Sequence, residues 1–366
     1  MPKEKTKEPK PEHDEKLDLL KEIKVRSSAL ALDSTEDGQT FFAACMDGGV
    51  YQIDRRSEKA ELLLKHESYA SGLWYLRKSK VLISSGYDGA LQWYDLNKRQ
   101  PLRKVQAHKF WSWQMAVSPN ETLVASVTGQ YLAGGYKYEP AAEQEPSVRV
   151  YDSNTGRLKH SFAHVPPVLS VAFSSDSRYL AAANMMGEIR IYDLEKGKQA
   201  GVCTTPDFTS WGIIKSHHYI GGIFALSFSP DGNDVLAAGM GSMTDPMAGN
   251  GKQKWQRFAW RENKKVAEIS DGDRGNGLME TLWLHPSNKY FVMAGRLAQG
   301  SWNTAFFDAQ SGKLLHSADT KVRVTDAHFS NDGTELFLAG AVGQQKKKDG
   351  QYPEAGRIKI YKCAVG

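Results

Sequence analysis

A few acids, histidines and lysines are the residues of this chain best suited to chemistry. Glu280 and Asp326 lie on strand-like segments and are the candidate acids for a polar catalytic cluster, but no partner histidine or metal stands at a known distance from them. His217 and His218 are adjacent, and no third ligand stands at a spacing typical of a zinc site. The motifs of serine hydrolases, dinucleotide sites, P-loops and zinc proteases are missing from their required contexts. The sequence therefore predicts no catalytic residue, no metal site and no cofactor.

Two further segments have weaker signals. Residues 271–277 read DGDRGNG, with glycine fifth and asparagine sixth. A calcium-binding EF-hand needs glycine at the sixth position and glutamate at the twelfth, where this chain has Leu282. The run Lys346-Lys347-Lys348 is typical of a solvated loop, with a phosphate or acidic-peptide contact as the alternative.

Composition narrows the class of protein. The chain has 366 residues, 47 basic and 42 acidic, for a net charge of +5. No dense basic stripe is present, which argues against a nucleic-acid partner. The 3 cysteines are far apart, so no disulfide framework is predicted. Without a signal peptide or an apolar run of roughly 18 residues, we expect a cytoplasmic protein with no membrane partner.

A degraded internal repeat organises the chain. Short strand-like runs end in an aromatic–acid pair or a relic of one, at Asp54, Asp95, Asp152, Asp193, Trp260, Asp308 and Lys362. The steps between these endpoints are 41, 57, 41, 67, 48 and 54 residues. A period of about 40–45 residues, with four strands per unit, is typical of a β-propeller blade.

The fourth unit shows the pattern most clearly. Alternating strand-like runs cover residues 169–174, 179–184, 189–194 and 199–203, separated by the turns SDSR, MGE and KGK. We call these strands A, B, C and D, from the propeller axis outward. In three other units the A-to-B turn contains Asp-Gly, once as Pro-Asp-Gly, which supplies the φ values that tight hairpins need.

The segment HVPPVLSVAFSSDSRYLAAANMMGEIRIYDLEKGK resembles a WD-repeat (WD40-type) unit. In such units a histidine precedes strand A and an aromatic–Asp pair closes strand C. The resemblance covers roughly residues 17–366, and it implies a structural hydrogen bond for His108 and His164. No unit contains Trp-Asp or Gly-His, so another propeller family with the same blade geometry stays open.

The fold prediction is an all-β, seven-bladed β-propeller of four-stranded antiparallel blades over residues 17–366. Residues 1–16 are rich in Lys, Glu and Pro and are predicted to be a disordered charged tail. The last unit lacks a D strand, and residues 20–26 form an unpaired strand-like run. This N-terminal strand is predicted to pair with residues 358–361 and close the ring, as in WD-repeat proteins.

The extra residues of the longer units are predicted to lie on connections that emerge on one face of a propeller. They are the B-to-C loops 127–147, 241–254, 296–301 and 341–356 and the D-to-A loops 204–222 and 271–277. Functional residues concentrate on elaborated loops over a rigid scaffold. Aromatic and basic side chains of these loops are the candidate partner-binding residues: Trp111, Tyr136, Tyr138, Trp211, His217, Trp302, Lys347 and Tyr352. The alternative is that these aromatic side chains only pin the loops to the scaffold.

The predicted function is a non-catalytic scaffold that binds a protein or peptide on this loop-rich face. One alternative is a hydrolase or lactonase-like enzyme with a polar site in the central channel, for which Glu280 and Asp326 are the candidates. Another is a structural subunit of a larger complex. Three or more convergent charged groups at the channel mouth favour the enzyme, whereas an aromatic rim favours binding.

Overall fold

A computed structural model of the chain describes residues 17–130, 143–211, 219–245, 250–269, 276–343, 350 and 354–363. The predicted tail, residues 1–16, lies outside this part. Within it the chain forms strands, joined by turns, and one short 3-10 helix, Pro206–Phe208. No helix among these residues is long and apolar enough to cross a membrane. The all-β prediction is confirmed.

The described residues form 29 strands. The first seventeen are β1 (Asp18–Val25), β2 (Ala29–Ser34), β3 (Thr40–Cys45), β4 (Gly49–Asp54), β5 (Ala60–Lys65), β6 (Ala70–Leu76), β7 (Val81–Gly86), β8 (Ala90–Asp95), β9 (Gln100–Gln106), β10 (Ser112–Val117), β11 (Leu123–Thr128), β12 (Val148–Asp152), β13 (Leu158–Phe162), β14 (Val168–Phe173), β15 (Tyr179–Asn184), β16 (Glu188–Asp193) and β17 (Lys198–Thr204). The others are β18 (Thr209–Trp211), β19 (Tyr219–Phe228), β20 (Asp234–Asp245), β21 (Asn250–Ala259), β22 (Lys264–Glu268), β23 (Asn276–Leu284), β24 (Tyr290–Gln299), β25 (Thr304–Asp308), β26 (Leu314–Ala318), β27 (Arg323–Phe329), β28 (Glu335–Ala341) and β29 (Gly356–Lys362).

These strands form antiparallel sheets of the predicted kind. Five sheets are four-stranded, with the orders β2–β5, β6–β9, β10–β13, β14–β17 and β1-β29-β28-β27. A nine-stranded sheet contains two further successions, β19–β22 and β23–β26, joined where β21 pairs with β23. The innermost strands β2, β6, β10, β14, β19, β23 and β27 contact one another in a closed cycle. The β-propeller is confirmed; because two successions share one sheet, the division into seven separate blades stays a prediction.

The closing aspartate of strand C caps the following turn. The Asp193 carboxylate accepts hydrogen bonds from the backbone N–H groups of Glu195 and Lys196, both at 3.0 Å. Asp95 and Asp152 make the same contacts in their own sheets. Such an Asx turn satisfies backbone donors that the C-to-D reversal leaves without partners. This local chemistry is the physical reason that the repeat keeps an acid at this position.

The N-terminal strand closes the ring. β1 pairs antiparallel with β29, with Ile23 opposite Ile358 and Leu19 opposite Tyr361, so the closure prediction is confirmed. Ile23 is fully buried among residues of the first and last sheets. At the far side of the same junction, Arg55 donates two hydrogen bonds of 2.7 Å to the carboxylate of Glu335. The ends of the chain are therefore held together by backbone pairing, apolar burial and charge.

Apolar clusters fill the spaces between neighbouring sheets. Phe41 of the first sheet and Phe337 of the last meet edge to face, with ring centroids 5.0 Å apart. Phe162 and Tyr192 stack at 4.3 Å between the third and fourth sheets. Each sheet thus buries both faces against its neighbours, which fixes the inner strands around a central channel.

The predicted insertions of the later units are partly strand rather than loop. Residues 241–254 were expected to form a B-to-C loop, but β20 continues to Asp245 and β21 starts at Asn250. A side-chain carbon at Gly251 would lie 2.1 Å from the Gly241 carbonyl oxygen, and one at Gly277 only 2.0 Å from that of Arg296. Glycines at these crossings allow close backbone approach, which lets the strands extend beyond the ring.

Candidate functional site

The central channel has two ends with different surroundings. The B-to-C and D-to-A connections surround one end, the loop face, and the A-to-B and C-to-D turns surround the other, the turn face. Every A-to-B and C-to-D connection is short, whereas residues 129–147 and 342–355 form long B-to-C connections. The loop face is therefore where the chain departs most from a minimal propeller.

A stack of aromatic rings lies at the loop-face end of the channel. The Tyr87 ring stacks on Trp111 at 5.4 Å between centroids, with an interplanar angle of 10°, and on Trp113 at 5.6 Å. Trp113 in turn contacts Phe224 at 6.4 Å. Trp111 is 50% exposed, so a large part of this residue is open to solvent.

Local backbone geometry places these rings. Tyr87 follows β7 in the short turn Tyr87-Asp88-Gly89, and the Asp88 carboxylate accepts a hydrogen bond from the backbone of Ala90 at 3.1 Å. Trp111 immediately precedes β10 and Trp113 is the second residue of that strand, where the pairing with β11 shifts register between Ser112 and Gln114. A side-chain carbon at Gly129 would lie 3.2 Å from the Trp113 ring, so the glycine leaves room for the indole.

A charged pair lies opposite the aromatic stack. Arg323 at the start of β27 donates from Nε to Oε1 of Glu280 at 2.7 Å and from Nη2 to Oε2 at 3.0 Å. Glu280 raises the pKa of Arg323 by its negative charge, while burial alone would lower it. Burial raises the pKa of Tyr87 to about 12, with Glu280 adding to the shift. The phenol is therefore neutral and borders the ion pair.

These six residues, Tyr87, Trp111, Trp113, Phe224, Glu280 and Arg323, are called the mouth cluster below. Apart from Trp111, they line a cavity of about 180 Å³. The cluster offers broad apolar rings on one side and one paired cation on the other. That combination suits recognition of another molecule, because aromatic and arginine side chains bury much area on binding.

The structure places the predicted binding residues differently from one another. Trp111 belongs to the mouth cluster. Trp302 is only 6% exposed, packs near Phe307 and accepts a hydrogen bond at its carbonyl from Gln253, so it offers little surface to a partner. Trp211 ends β18, and nothing is described of its side chain. The remaining candidates lie outside the described residues: Tyr136, Tyr138, His217, Lys347 and Tyr352.

The acids considered for catalysis are already engaged. Glu280 is paired with Arg323. Asp326 accepts hydrogen bonds from the backbone N–H groups of Leu32 and Ala327, both at 2.9 Å, and lies 3.3 Å from Nε2 of His328. The bond to Leu32 links the last sheet to the first. The described residues contain no group of three His, Cys, Asp or Glu side chains suited to a metal.

The histidines that precede inner strands are structural. His108 is 1% exposed and its Nε2 lies 3.0 Å from Ser126 Oγ, and His164 Nε2 lies 3.1 Å from the Ala182 carbonyl. A third such site has no counterpart in the sequence interpretation: His66 Nδ1 lies 3.0 Å from Asp88, and its Nε2 lies 2.9 Å from Ser84. Asp88 is the residue after Tyr87, so this buried network also anchors the turn that carries the mouth cluster.

Comparisons with known proteins agree with this architecture. The family model "WD domain, G-beta repeat" matches residues 156–193, which include β13 to β16. Telomerase protein component 1 of Rattus norvegicus is 20% identical over 348 residues, 94% of this chain. COMPASS component SWD3 of Saccharomyces cerevisiae is 22% identical over 248 residues, 64% of this chain and 69% of SWD3. This chain spans only 11% of the length of the telomerase component.

Proposed function

We propose that this WD-repeat protein is a non-catalytic scaffold that binds a protein or peptide partner through the mouth cluster on its loop face. The observation that carries the proposal is the half-exposed Trp111 ring, stacked on Tyr87 beside the Arg323–Glu280 pair. Relatives named as components of telomerase and of COMPASS support a role within protein assemblies.

The rigidity of the aromatic stack favours binding. Tyr87 stacks on two indoles, and its turn is anchored by the His66–Asp88 contact. When a partner covers Trp111, the side chains of this protein therefore lose little conformational entropy. Replacing an aromatic anchor of this kind by alanine commonly costs about 2 kcal/mol or more of binding free energy.

The enzyme alternative has weaker support. A general acid or base needs a carboxyl group that can reach substrate. Both carboxylate oxygens of Glu280 accept hydrogen bonds from Arg323, and both of Asp326 accept hydrogen bonds from backbone N–H groups. Among the described residues, the channel mouth combines an aromatic rim with three charged groups, the paired Glu280 and Arg323 and the neighbouring Arg296. The engagement of the carboxyl groups, rather than the number of charges, is what weakens the enzyme alternative.

A structural subunit of a larger complex is the second candidate. The outer strands carry exposed apolar side chains, among them Leu62, Leu102, Leu158 and Val266. These residues are scattered around the rim, where single exposed apolar side chains are common. A complex that packs against the rim would use this surface, whereas the scaffold proposal uses the mouth cluster.

Site-specific photo-crosslinking separates these two surfaces. Trp111 and Leu158 are 50% and 53% exposed, which makes them matched positions on the loop face and the outer rim. Each is replaced in turn by benzoylphenylalanine, and the full chain is irradiated in lysate of its source organism. We expect one defined crosslinked protein from position 111 and none from position 158. A defined product from position 158 alone would contradict the mouth-cluster proposal and support the rim.

A further inference from the structure

A second pocket lies in the turn-face half of the channel. Three rings near the ends of inner strands contact one another there: Trp74 of β6, Trp283 of β23 and His328 of β27. The ring centroids are 6.0 Å apart for Trp74–Trp283, 6.3 Å for Trp74–His328 and 4.2 Å for Trp283–His328. Together with Asp326 they line a cavity of about 240 Å³, called the turn-side pocket below.

This pocket differs in chemistry from the mouth cluster. Its floor is apolar and includes Met115 and Leu282. Asp326 supplies a negative charge, and its side chain is 19% exposed. Two further charged side chains lie near His328. These are Asp33 and Arg77, which form an ion pair with 3.1 Å between Oδ1 and Nη2, so their charges compensate each other. With His328 neutral, the pocket therefore has an uncompensated negative charge beside two indole rings.

We propose that the turn-side pocket binds an alkylammonium group, with the cation over the indole rings of Trp74 and Trp283 and the alkyl chain against Met115 and Leu282. Indole is the aromatic ring that attracts cations most strongly. The hydrogen-bonding positions of Asp326 are occupied by Leu32, Ala327, Thr281 and His328, so the carboxylate acts on the ligand through its charge. Glu280 of the mouth cluster also lines this pocket, so the two sites are neighbours along the channel and are tested with different variants.

His328 makes the site sensitive to pH. Burial would lower the pKa of His328, but the neighbouring Asp326 and Asp33 carboxylates outweigh burial and Arg77, and the pKa is raised. Once protonated, His328 compensates Asp326 and repels a second cation. Ammonium binding should therefore be strongest above the pKa of His328 and weaken as the pH falls through it.

The test uses n-butylammonium as the probe, with n-butanol and n-butyrate as neutral and anionic analogues of similar size. Binding to the full chain is followed by NMR of the tryptophan indole N–H groups. We expect saturable shifts with n-butylammonium, and affinity weaker by at least about fivefold for n-butanol and n-butyrate. Equal affinity for the alcohol and the ammonium would overturn the proposal.

Two variants and a matched control locate the probe. Trp74→Leu and Trp283→Leu should each weaken n-butylammonium binding by about threefold or more, whereas Trp111→Leu on the loop face should leave it unchanged. Wild-type affinity should also fall between about pH 8.5 and about pH 5.5, which needs no variant to fold. Unchanged affinity in both folded pocket variants, or affinity that rises on acidification, would contradict the site.

A capped Gly-Lys-Gly peptide distinguishes the two sources of such a cation. Tighter binding than n-butylammonium assigns the pocket to a lysine side chain of a protein, and weaker binding assigns it to a free amine. Because the loop-face crosslinking depends on Trp111, failure of the ammonium site leaves the scaffold proposal standing, and the reverse also holds.

Discussion

Arg323 and Glu280 join the inner strands of two adjacent sheets by a two-point ion pair, with N–O distances of 2.7 and 3.0 Å. Arg323 is 48% exposed on its side chain and Glu280 is 14% exposed. The pair therefore has a geometric role, orienting a guanidinium at the channel mouth opposite the aromatic stack.

Removing this pair should cost little stability. A half-exposed ion pair contributes about 1 kcal/mol or less, because solvent screens it and two side chains must be ordered. Urea unfolding of Arg323→Met, Glu280→Gln and the double variant gives the coupling energy directly. A coupling above about 3 kcal/mol would mean that the pair is a main support of the ring rather than a positioned surface group.

Two buried histidines should make the protein sensitive to acid. Burial, with help from the Arg149 and Arg190 charges, lowers the pKa of His108 and of His164 to about 3. In the unfolded chain the two histidines have a pKa of about 6.5 and bind a proton below it, whereas in the folded chain they stay neutral there. Stability should thus be full above that pH and fall as the pH decreases towards 3, by about 2 kcal/mol per histidine between pH 7 and pH 5.

Urea denaturation of wild type and the His108→Gln, His164→Gln double variant at these two pH values checks this. The variant should be less stable at neutral pH, since its hydrogen bonds differ, but its stability should change less on acidification. An unchanged pH dependence in the double variant would show that other groups dominate.

Truncation tests the closure of the ring. Deleting residues 1–26 removes β1 with Ile23 and Val25, which are 0% and 2% exposed, and uncovers the edge of β29. Burial of two such side chains contributes about 3–6 kcal/mol, so this truncation should aggregate or unfold well below the wild-type temperature. Deleting residues 1–15 leaves β1 whole and should be nearly silent. Equal melting temperatures of the two truncations would contradict the closure.

Substitution of the acids tests the absence of catalysis. Asp326→Asn should lower stability through the lost charge-assisted bond to Leu32, by about 1–3 kcal/mol, and Glu280→Gln should have little effect. Because we propose that the protein is not an enzyme, neither substitution should remove a catalytic activity. A lactone or phosphoester activity that disappears in a folded Glu280→Gln or Asp326→Asn variant would support the enzyme alternative instead.

The sequence was most informative where local chemistry repeats. Asp193 and its counterparts keep the same Asx turn, and Ser174 and Ser229 each donate to an aspartate two residues later in their A-to-B turns. These bonds involve residues close in sequence, so pattern alone could predict the strands and turns around them. The last unit has no D strand of its own, and an open sheet edge needs a partner, so the N-terminal strand could be predicted to pair there.

The mouth cluster could be predicted only in part. The sequence named Trp111 as a candidate but not Trp113, which lies at a register shift between Ser112 and Gln114 that strand alternation does not predict. Tyr87, Phe224 and Arg323 come from three different sheets, and only ring closure brings them together. The register shift between Ile223 and Ala225 adds an irregularity that alternation does not predict, so the side on which Phe224 lies was not readable.

The most direct test of the account is the affinity of a partner captured through position 111 for three forms of the chain. Trp111→Ala should weaken binding at least about tenfold, or roughly 1.4 kcal/mol, with an unchanged melting temperature. Leu158→Ala, at the matched position on the outer rim, should change affinity less than about twofold. An affinity that survives Trp111→Ala and falls in Leu158→Ala would contradict binding at the loop-face mouth.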